Sequence, residues 1–229
     1  MEKLNKDELF TIAVELNLPS LLKFCSINKR IYEKIHNNDD IWNYKLNKLF
    51  PDYKSLKLEM KPSEIYRLLY FLKVKCRLYH DIHELCNTEI LDLSHKNLKH
   101  LPKEIGQLKK LRFLYLSYNG LITIPKEICQ LKNLERINLA HNKLNIIPKE
   151  IGQLNNLIEF YLSSNKLKQI PEEISLLKKL RELHLSNNDL KTLPKEIGSL
   201  SLLLLDIYKN KSIQIPKEIT DNKNIRILY

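Results

Sequence analysis

The sequence predicts an α/β protein in which an all-α region precedes a solenoid of short parallel strands. Pairs of Ile or Leu with Pro place prolines at 102, 125, 148, 171, 194 and 216, a spacing of 23 residues four times and then 22. A fixed period of this length is typical of stacked repeat units. Within each period, a Leu-x-Leu alternation predicts one short strand. Before the repeats, residues 1–50 show a helical period of apolar residues and no repeat, which predicts helices.

Each position of the repeat has a predicted structural task. One unit reads Leu111-x-x-Leu114-x-Leu116-x-x-Asn119-x-Leu121-x-x-Ile124-Pro125. The strand leucines are expected to point inward. The asparagine is expected to close the strand at a tight turn, where its amide pairs with backbone groups that would otherwise be buried unpaired. The proline holds the preceding residue extended, and the Glu-Ile-Gly-Gln-Leu segment returns across the opposite side as a short helix or turn. The structural asparagines predicted in this way are Asn119, Asn142, Asn165, Asn188 and Asn210.

From about residue 88 to the end, the chain resembles the leucine-rich-repeat family, in its class of 23-residue repeats. The resemblance implies that the strands line a concave face and that this face binds a target protein. The side chains predicted to contact that protein are Phe113, Tyr115, Tyr118, Arg136, Asn138, His141, Glu159, Tyr161, Glu182, His184, Asp206 and Tyr208. Aromatic residues mixed with charges are typical of protein-binding hot spots. The alternative is a solvated sheet face without a ligand.

The two ends of the repeat region depart from the pattern. In the first unit the asparagine position holds Lys96, with Asn97 one place late, which is typical of a capping repeat. Later, one residue is lost near Ser201, and Ser212 stands where a leucine is expected. The sequence stops inside a predicted seventh strand. We expect that edge to be exposed, covered by a partner or continued by further sequence.

The first third of the chain carries a second resemblance. Asp7 is the predicted cap of a first helix, and Pro19 suits the first turn of a second. Leu-x-x-Leu-Leu-x-x-Cys, followed by Ile-Trp-x-x-Lys-Leu, resembles the F-box family, in which a three-helix motif docks on the adaptor Skp1 of cullin-type ubiquitin ligases. The resemblance covers about residues 4–50 and is carried by Leu9, Leu16, Leu21, Leu22, Cys25, Arg30, Ile41 and Trp42.

The F-box resemblance implies a second protein partner, a Skp1-type adaptor. The residues implied to bind it are Leu9, Leu16, Leu21, Leu22, Ile41 and Trp42. The alternative is a small helical cap in which these apolar side chains pack internally, with Trp42 in the core.

Residues 51–87 are predicted to connect the two regions. Ser63, after Pro62, is the predicted N-cap of a long helix that runs through Leu72 and Cys76 to Tyr79. We expect this helix to cover the N-terminal end of the solenoid. The predicted organisation is therefore an F-box-like motif at 1–50, a connecting helix at 51–87 and the repeats at 88–229.

Composition and charge restrict the partners further. Hydrophobic residues make up 43% and charged residues 28%, as in globular proteins. No apolar run approaches the ~20 residues of a membrane helix, so no membrane partner is expected. The N-terminus lacks the apolar core of a secretory signal, and the four cysteines have no regular spacing, which indicates reduced thiols in the cytoplasm. Net charge is +11, but the lysines fall at outward repeat positions beside glutamates, so nucleic-acid binding is not predicted.

The residues with ligand or nucleophile chemistry predict neither a metal site nor an active site. Cys76, His80 and His83 would share one helix face, but Cys86 lies off it, and a zinc site needs four converging ligands. Cys129 replaces the glycine of its unit and is predicted to pack as a small hydrophobe. No phosphate loop, paired carboxylates or nucleotide fingerprint is found. We therefore expect a non-catalytic protein without a cofactor or a bound metal.

The two resemblances together predict a function. An F-box followed by leucine-rich repeats is an architecture of substrate receptors, which link a target protein to a Skp1-cullin ubiquitin ligase. The Lys/Asn/Ile-rich composition and the stretches Asp-Asp-Ile-Trp-x-Tyr-Lys-Leu and Phe-Pro-Asp-Tyr also resemble proteins of giant DNA viruses of amoebae, which implies the host cytoplasm. The alternative is a scaffold or signalling regulator with a helical cap and no ligase link.

Overall fold

The chain is divided into two compact units. The computed structural model describes residues 6–26, 29–56, 60–78 and 81–229, and the units are Met1–Cys86 and Asn87–Tyr229. Tyr79 and His80 lie outside the described residues, as do the side chains of Asp7, Cys25 and Arg30. The tasks predicted for these five residues therefore stay predictions.

The first unit is helical. Two asparagines cap its helices: the Asn17 side chain accepts from the Ser20 N–H at 3.0 Å, and the Asn38 side chain accepts from the Asp40 N–H at 3.1 Å. Pro19 lies in the first turn of the helix that Asn17 caps, where its fixed φ suits the helix. The helices are α1 Lys6–Glu15, α2 Leu18–Cys25, α3 Lys29–His36, α4 Asp39–Leu49, α5 Pro62–Leu69 and α6 Ile82–Asn87, with a 3₁₀ segment at Pro51–Leu56.

A single tryptophan and a buried lysine join these helices. Trp42 is 2% exposed, and its indole N–H donates to the Ile35 carbonyl at 3.0 Å. The Lys45 ammonium donates to the carbonyls of Val14 and Leu16 at 3.2 and 2.5 Å, at the end of α1. A cation suits the carbonyl end of a helix, so Lys45 fastens α4 to α1. Burial lowers the pKa of Lys45.

The predicted start of the third helical stretch is wrong by one position. Lys61 occupies the N-cap, its N–H pairs with the Glu64 carboxylate at 3.3 Å, and Pro62 is the first helical residue. Proline is favoured at that place because it needs no hydrogen-bond donor there. Ser63 therefore lies inside α5, where its buried hydroxyl has no hydrogen-bond partner among the described residues.

The predicted long helix also ends early. After α5 the chain forms a π-helix at Tyr70–Lys75 and leaves the helical conformation after Cys76, since Arg77 has a left-handed φ of 52°. Cys76 and His83 therefore do not share one helix face. His83 begins a new helix, and its ring lies 2.6 Å from the Ser55 hydroxyl.

The second unit is a solenoid with one parallel sheet. Seven strands follow one another in chain order, each paired with the next, which confirms the predicted α/β solenoid. The strands are β1 Ile90–Asp92, β2 Phe113–Tyr115, β3 Arg136–Asn138, β4 Glu159–Tyr161, β5 Glu182–His184, β6 Leu204–Asp206 and β7 Arg226–Leu228. Five 3₁₀ segments and one short helix return between strands β1 and β7, namely Lys103–Gln107, Lys126–Gln130, Lys149–Gln153, Glu172–Leu176, Lys195–Ser199 and α7 Lys217–Thr220. A proline precedes each of them, with φ between −70° and −57°.

The register of the sheet follows the sequence period. Phe113 pairs with Arg136 and Arg136 with Glu159, each 23 residues on. The lost residue near Ser201 changes the step to 22, so Glu182 pairs with Leu204. Equivalent positions consequently stack into rows. The middle row is fully buried and consists of Leu114, Ile137, Phe160, Leu183 and Leu205.

The recurring asparagines form a continuous hydrogen-bonded ladder. The Asn165 amide donates to the carbonyls of Leu139 and Leu162 at 3.0 Å each, and its oxygen accepts from the Leu144 N–H at 2.9 Å. Each of these carbonyls also accepts from the asparagine of one neighbouring coil, for example Leu162 from Asn188 at 3.0 Å. The side chains thus provide the pairing that buried backbone groups require.

The return segments pack in pairs, and glycine determines which pairs are close. A Cβ at Gly152 would lie 2.5 Å from the Glu173 carbonyl of the next coil, and Gly106 and Gly198 leave even less space. The equivalent positions of the alternate coils hold Cys129, Ser175 and Thr220. Cys129 is 1% exposed, and burial raises the pKa of its thiol to about 12, as expected of a packed, unreactive cysteine.

Candidate functional site

The concave face consists of the side chains that alternate with the buried row of the sheet, together with the turns that follow. The strand register places the predicted contact residues of neighbouring coils side by side. The first row runs Ile90, Phe113, Arg136, Glu159, Glu182, Leu204 and Arg226, and the second runs Asp92, Tyr115, Asn138, Tyr161, His184, Asp206 and Leu228. The structure therefore brings the predicted strand residues together on one face.

The centre of this face is a connected set of aromatic and charged side chains. Arg136 forms an ion pair with Glu159 at 2.5 Å and lies 5.8 Å above the Phe113 ring. Its second amino group donates to the Tyr115 hydroxyl at 3.5 Å. Glu159 also accepts from the Tyr161 hydroxyl at 2.6 Å. Partial burial opposes ionisation of Glu159, but the hydrogen bonds from Arg136 and Tyr161 outweigh it and lower the pKa of the carboxyl.

The set continues through His184. Its ring stacks on Tyr161 with centroids 4.5 Å apart, and its nitrogens lie 3.2 Å from the Glu182 carboxylate and 3.8 Å from that of Asp206. Burial, and then the bond to Glu159, raise the pKa of the Tyr161 hydroxyl. These side chains restrain one another, so the face is ordered without a partner.

The turns add a row of exposed side chains with a strained backbone. The residue before each recurring asparagine has a left-handed φ, between 54° and 58°, at Tyr118, His141, Ser164, Asn187 and Lys209. None is glycine, the residue that adopts this region at the least cost. The N–H of Tyr118 bonds the Ala140 carbonyl of the next coil at 3.0 Å, which offsets the strain. His95, Tyr118 and His141 stack face to face across three coils, with centroids 4.5 and 4.2 Å apart.

Sequence reasoning missed one ion-pair chain at the edge of the sheet. Arg112 pairs with Glu135 at 2.8 Å and with Glu89 at 3.0 Å. The bond from Arg112 lowers the pKa of Glu135. The signal was present, because residues 89, 112 and 135 recur at the repeat period with alternating charge.

The residues implied to bind an adaptor lie mostly inside the first unit. Leu9, Leu21, Ile41 and Trp42 are at most 4% exposed, and Leu16 packs against the same core. Leu22 differs, because it is 42% exposed. The buried four stabilise the helices in this structure, and their side chains are not available to a partner surface. Of this set, the surface prediction rests on Leu22.

The remaining candidates carry no chemistry that we can assign. Burial, followed by the charge of Asp81, raises the pKa of Cys86 to about 11. Within the described ranges, no group of three or more His, Cys, Asp or Glu side chains could hold a metal ion. No helix in those ranges is long and apolar enough to cross a membrane.

Comparison with known proteins identifies the repeats. A family model described as a leucine-rich repeat region matches residues 54–186, more than half of the chain, and a second leucine-rich-repeat model matches residues 179–200. The chain belongs to the leucine-rich-repeat family. The resemblance predicted from the repeat pattern is thereby confirmed, whereas the F-box resemblance stays a prediction.

Solved structures give the same fold. The chain is 37% identical to a leucine-rich-repeat protein of Leptospira interrogans, with a TM-score of 0.51 over 69% of this chain and 52% of that one. It is also 37% identical to a plant peptide hormone receptor, RGFR1, in complex with RGF2, with a TM-score of 0.51 over 56% of this chain and 22% of the receptor. The chain thus spans about half the length of the Leptospira protein. No curated protein matches the chain.

Proposed function

We propose that this chain is a non-catalytic protein-binding module whose target lies on the concave face. The observation that carries the proposal is the connected set Tyr115, Arg136, Glu159, Tyr161 and His184, which is half-buried and held by its own contacts. Side chains that are already ordered lose less entropy on binding, and Tyr and Arg are the residues enriched in hot spots. The plant receptor supports the proposal, because its coils are similar and it is in complex with RGF2.

A crosslinking experiment tests the concave face. A photoreactive amino acid replaces Tyr118, which is 50% exposed, and in a matched variant it replaces the exposed Lys126 of the opposite side. After irradiation in cells that contain the target, we expect one discrete protein adduct at position 118 and none at 126. Mass spectrometry identifies the adduct. Equal adducts at both positions, or none at either, would count against a concave target site.

We further propose that the first unit links this target to a Skp1-type adaptor of a cullin ubiquitin ligase in the host cytoplasm. The support is the F-box resemblance and the apolar surface of the unit, where Leu22, Tyr32, Tyr44 and Leu49 are 38% to 50% exposed. Placement in a virus-infected cell rests on the sequence resemblance alone. In this reading other subunits perform the catalysis, and the chain supplies the binding geometry.

Adaptor binding is tested at Leu22 rather than at the buried positions. Purified chain is titrated with recombinant Skp1 by calorimetry. Leu22→Asp is expected to weaken binding by about tenfold or more, because a charge would enter an apolar contact. The control is Val74→Asp, also at an exposed apolar residue (47%) but outside residues 1–50, which should leave the affinity unchanged.

Two results would remove the ligase link. If the wild-type chain does not bind Skp1, the scaffold with a helical cap remains. If both aspartate variants weaken binding equally, the contact is not the F-box motif. Leu21→Ala and Trp42→Ala are unsuitable as contact tests because those side chains form the core of the unit.

A further inference from the structure

The positive charge of the solenoid is concentrated on one lateral edge. Between the recurring asparagine and the Ile-Pro or Leu-Pro pair, coils three to six carry five exposed lysines against one acid, Asp189. We name these lysines the lysine edge: Lys143, Lys166, Lys168, Lys191 and Lys211. The opposite side differs, because there Lys126, Lys149, Lys195 and Lys217 each precede a glutamate directly.

The backbone places these lysines in neighbouring coils. The Lys166 N–H donates to the Leu144 carbonyl at 2.8 Å, and the Gln214 N–H donates to the Lys191 carbonyl at 2.8 Å. Lys143 and Lys166 therefore occupy equivalent positions one coil apart, as do Lys168 and Lys191. Adjacent hydrogen-bonded chains lie about 4.8 Å apart, so like charges repel along this edge unless a counter-charge covers it.

The lysine edge has no counter-charge within the solenoid. No hydrogen bond or ion pair of these five ammonium groups is found among the described residues. Cations on the other lateral edge are paired: Lys132 donates to the Cys129 carbonyl at 3.0 Å, Arg112 pairs with two glutamates, and Arg181 donates to the Ser201 carbonyl at 2.8 Å. The contrast separates structural cations from those that are available to a partner.

We propose that the lysine edge is a second interaction surface, which docks an acidic segment of a protein. This surface is distinct from the concave face, so the inference goes beyond the function proposed above. A row of ammonium groups is complementary to a row of carboxylates, and such complementarity steers association and fixes register. Lysine suits this task because its point charge on a flexible stem needs no fixed geometry.

The surroundings favour a protein over a nucleic acid. Single-stranded nucleic acid is usually held by aromatic side chains that stack on bases, and the asparagine-to-proline segments of coils three to six contain neither an aromatic residue nor an arginine. The adjoining concave face carries Glu159, Glu182 and Asp206, which repel a uniform polyanion. A protein surface can place acidic side chains over the edge and other groups over the concave acids.

The test compares two sets of lysines in the full chain. The probe is a fluorescein-labelled peptide of alternating Glu and Gly, measured by fluorescence anisotropy at low and physiological salt. The edge variant carries Lys143→Gln, Lys166→Gln, Lys168→Gln and Lys191→Gln. The matched variant carries Lys126→Gln, Lys149→Gln, Lys195→Gln and Lys217→Gln, which remove the same charge from the opposite side. Circular dichroism verifies that both variants fold.

We expect the edge variant to bind the peptide about tenfold more weakly than wild type, from several exposed charges that each contribute modestly. The matched variant should stay within about twofold. Equal losses in both variants would show a net-charge effect and overturn the proposal, as would the absence of peptide binding by the wild type. Tighter binding of oligothymidylate of equal charge would replace the protein partner by a nucleic acid. The edge variant should keep the photo-adduct at position 118, so the two surfaces can fail separately.

Discussion

Replacing Asn165 by alanine is expected to lower the free energy of unfolding of the solenoid by about 2–4 kcal/mol. The substitution leaves the Leu144 N–H buried without an acceptor, since the Asn165 side chain is the group that accepts from it. It also removes the amide bonds to the carbonyls of Leu139 and Leu162. A buried unsatisfied donor costs more than the bond itself contributes.

The measurement is urea denaturation followed by circular dichroism, with Trp42 fluorescence as a separate reporter of the first unit. The matched control is Asn156→Ala in the same coil. Asn156 is partly exposed, donates to the Lys132 carbonyl at 2.8 Å and accepts from Lys179 at 2.8 Å. Water can replace both bonds there, so we expect a loss of no more than about 1 kcal/mol.

A second variant separates the donor from the acceptor function of Asn165. Asn165→Asp keeps an oxygen for the Leu144 N–H but places another against the carbonyls of Leu139 and Leu162. It should destabilise the solenoid at least as much as alanine, because buried carboxylates facing carbonyls are unfavourable. If Asn165→Ala and Asn156→Ala cost the same, the ladder does not stabilise the solenoid in the way that its geometry indicates.

The stacked part of the fold could be predicted because repetition converts sequence position into spatial position. Once Leu114 and Ile137 are recognised as equivalent, their adjacency follows, and so does the adjacency of Tyr115, Asn138 and Tyr161 on the concave face. The step of 22 residues at Leu204 followed from the single lost residue. No comparable rule orders the helices of the first unit.

Burial in the first unit could not be predicted by the same means. An apolar helical stripe shows that a side chain is covered, but it does not show whether the covering surface belongs to this chain or to another. Leu21 and Leu22 illustrate the difficulty, because they are adjacent leucines with 0% and 42% exposure. Lys45 would be assigned to solvent by its charge, yet it caps the carbonyl end of α1.

The turns of the solenoid show a second limit. Left-handed conformation is predicted from glycine or asparagine by intrinsic preference, whereas Tyr118, His141 and Lys209 adopt it here. The strain is tolerated where the N–H at this position meets a carbonyl of the next coil, as the N–H of His141 does at Ser163 with 2.9 Å. A local rule fails at these positions because a neighbouring repeat determines the outcome.

Alanine at Gly152 is expected to destabilise the solenoid by about 1–3 kcal/mol, although alanine is the better residue for helical conformation. Its Cβ would lie 2.5 Å from the Glu173 carbonyl and 3.1 Å from the Glu173 Cβ. The obstacle is mainly backbone, so the return segments Lys149–Gln153 and Glu172–Leu176 must move apart. Urea denaturation of the single variant measures the cost.

Gly120→Ala is the matched control for this substitution. A Cβ there meets the Leu98 carbonyl at 3.4 Å, an ordinary contact, and the glycine has no left-handed φ. We expect its free energy of unfolding to stay within about 0.5 kcal/mol of wild type or to rise slightly, because alanine restricts the unfolded chain. Ser175→Ala, at the equivalent position of the next coil, should also be nearly neutral, since a Cβ is already present there.

Combining Gly106→Ala, Gly152→Ala and Gly198→Ala extends the test to all three close pairs. The sites lie two coils apart and contact different neighbours, so their costs should add to about 3 kcal/mol or more. That is a large share of the stability of a typical domain, roughly 5–15 kcal/mol, and circular dichroism should show a partly unfolded solenoid. A triple variant as stable as wild type would mean that the coils can separate without cost. Pairwise packing of the return segments would then not be what requires glycine in every second coil.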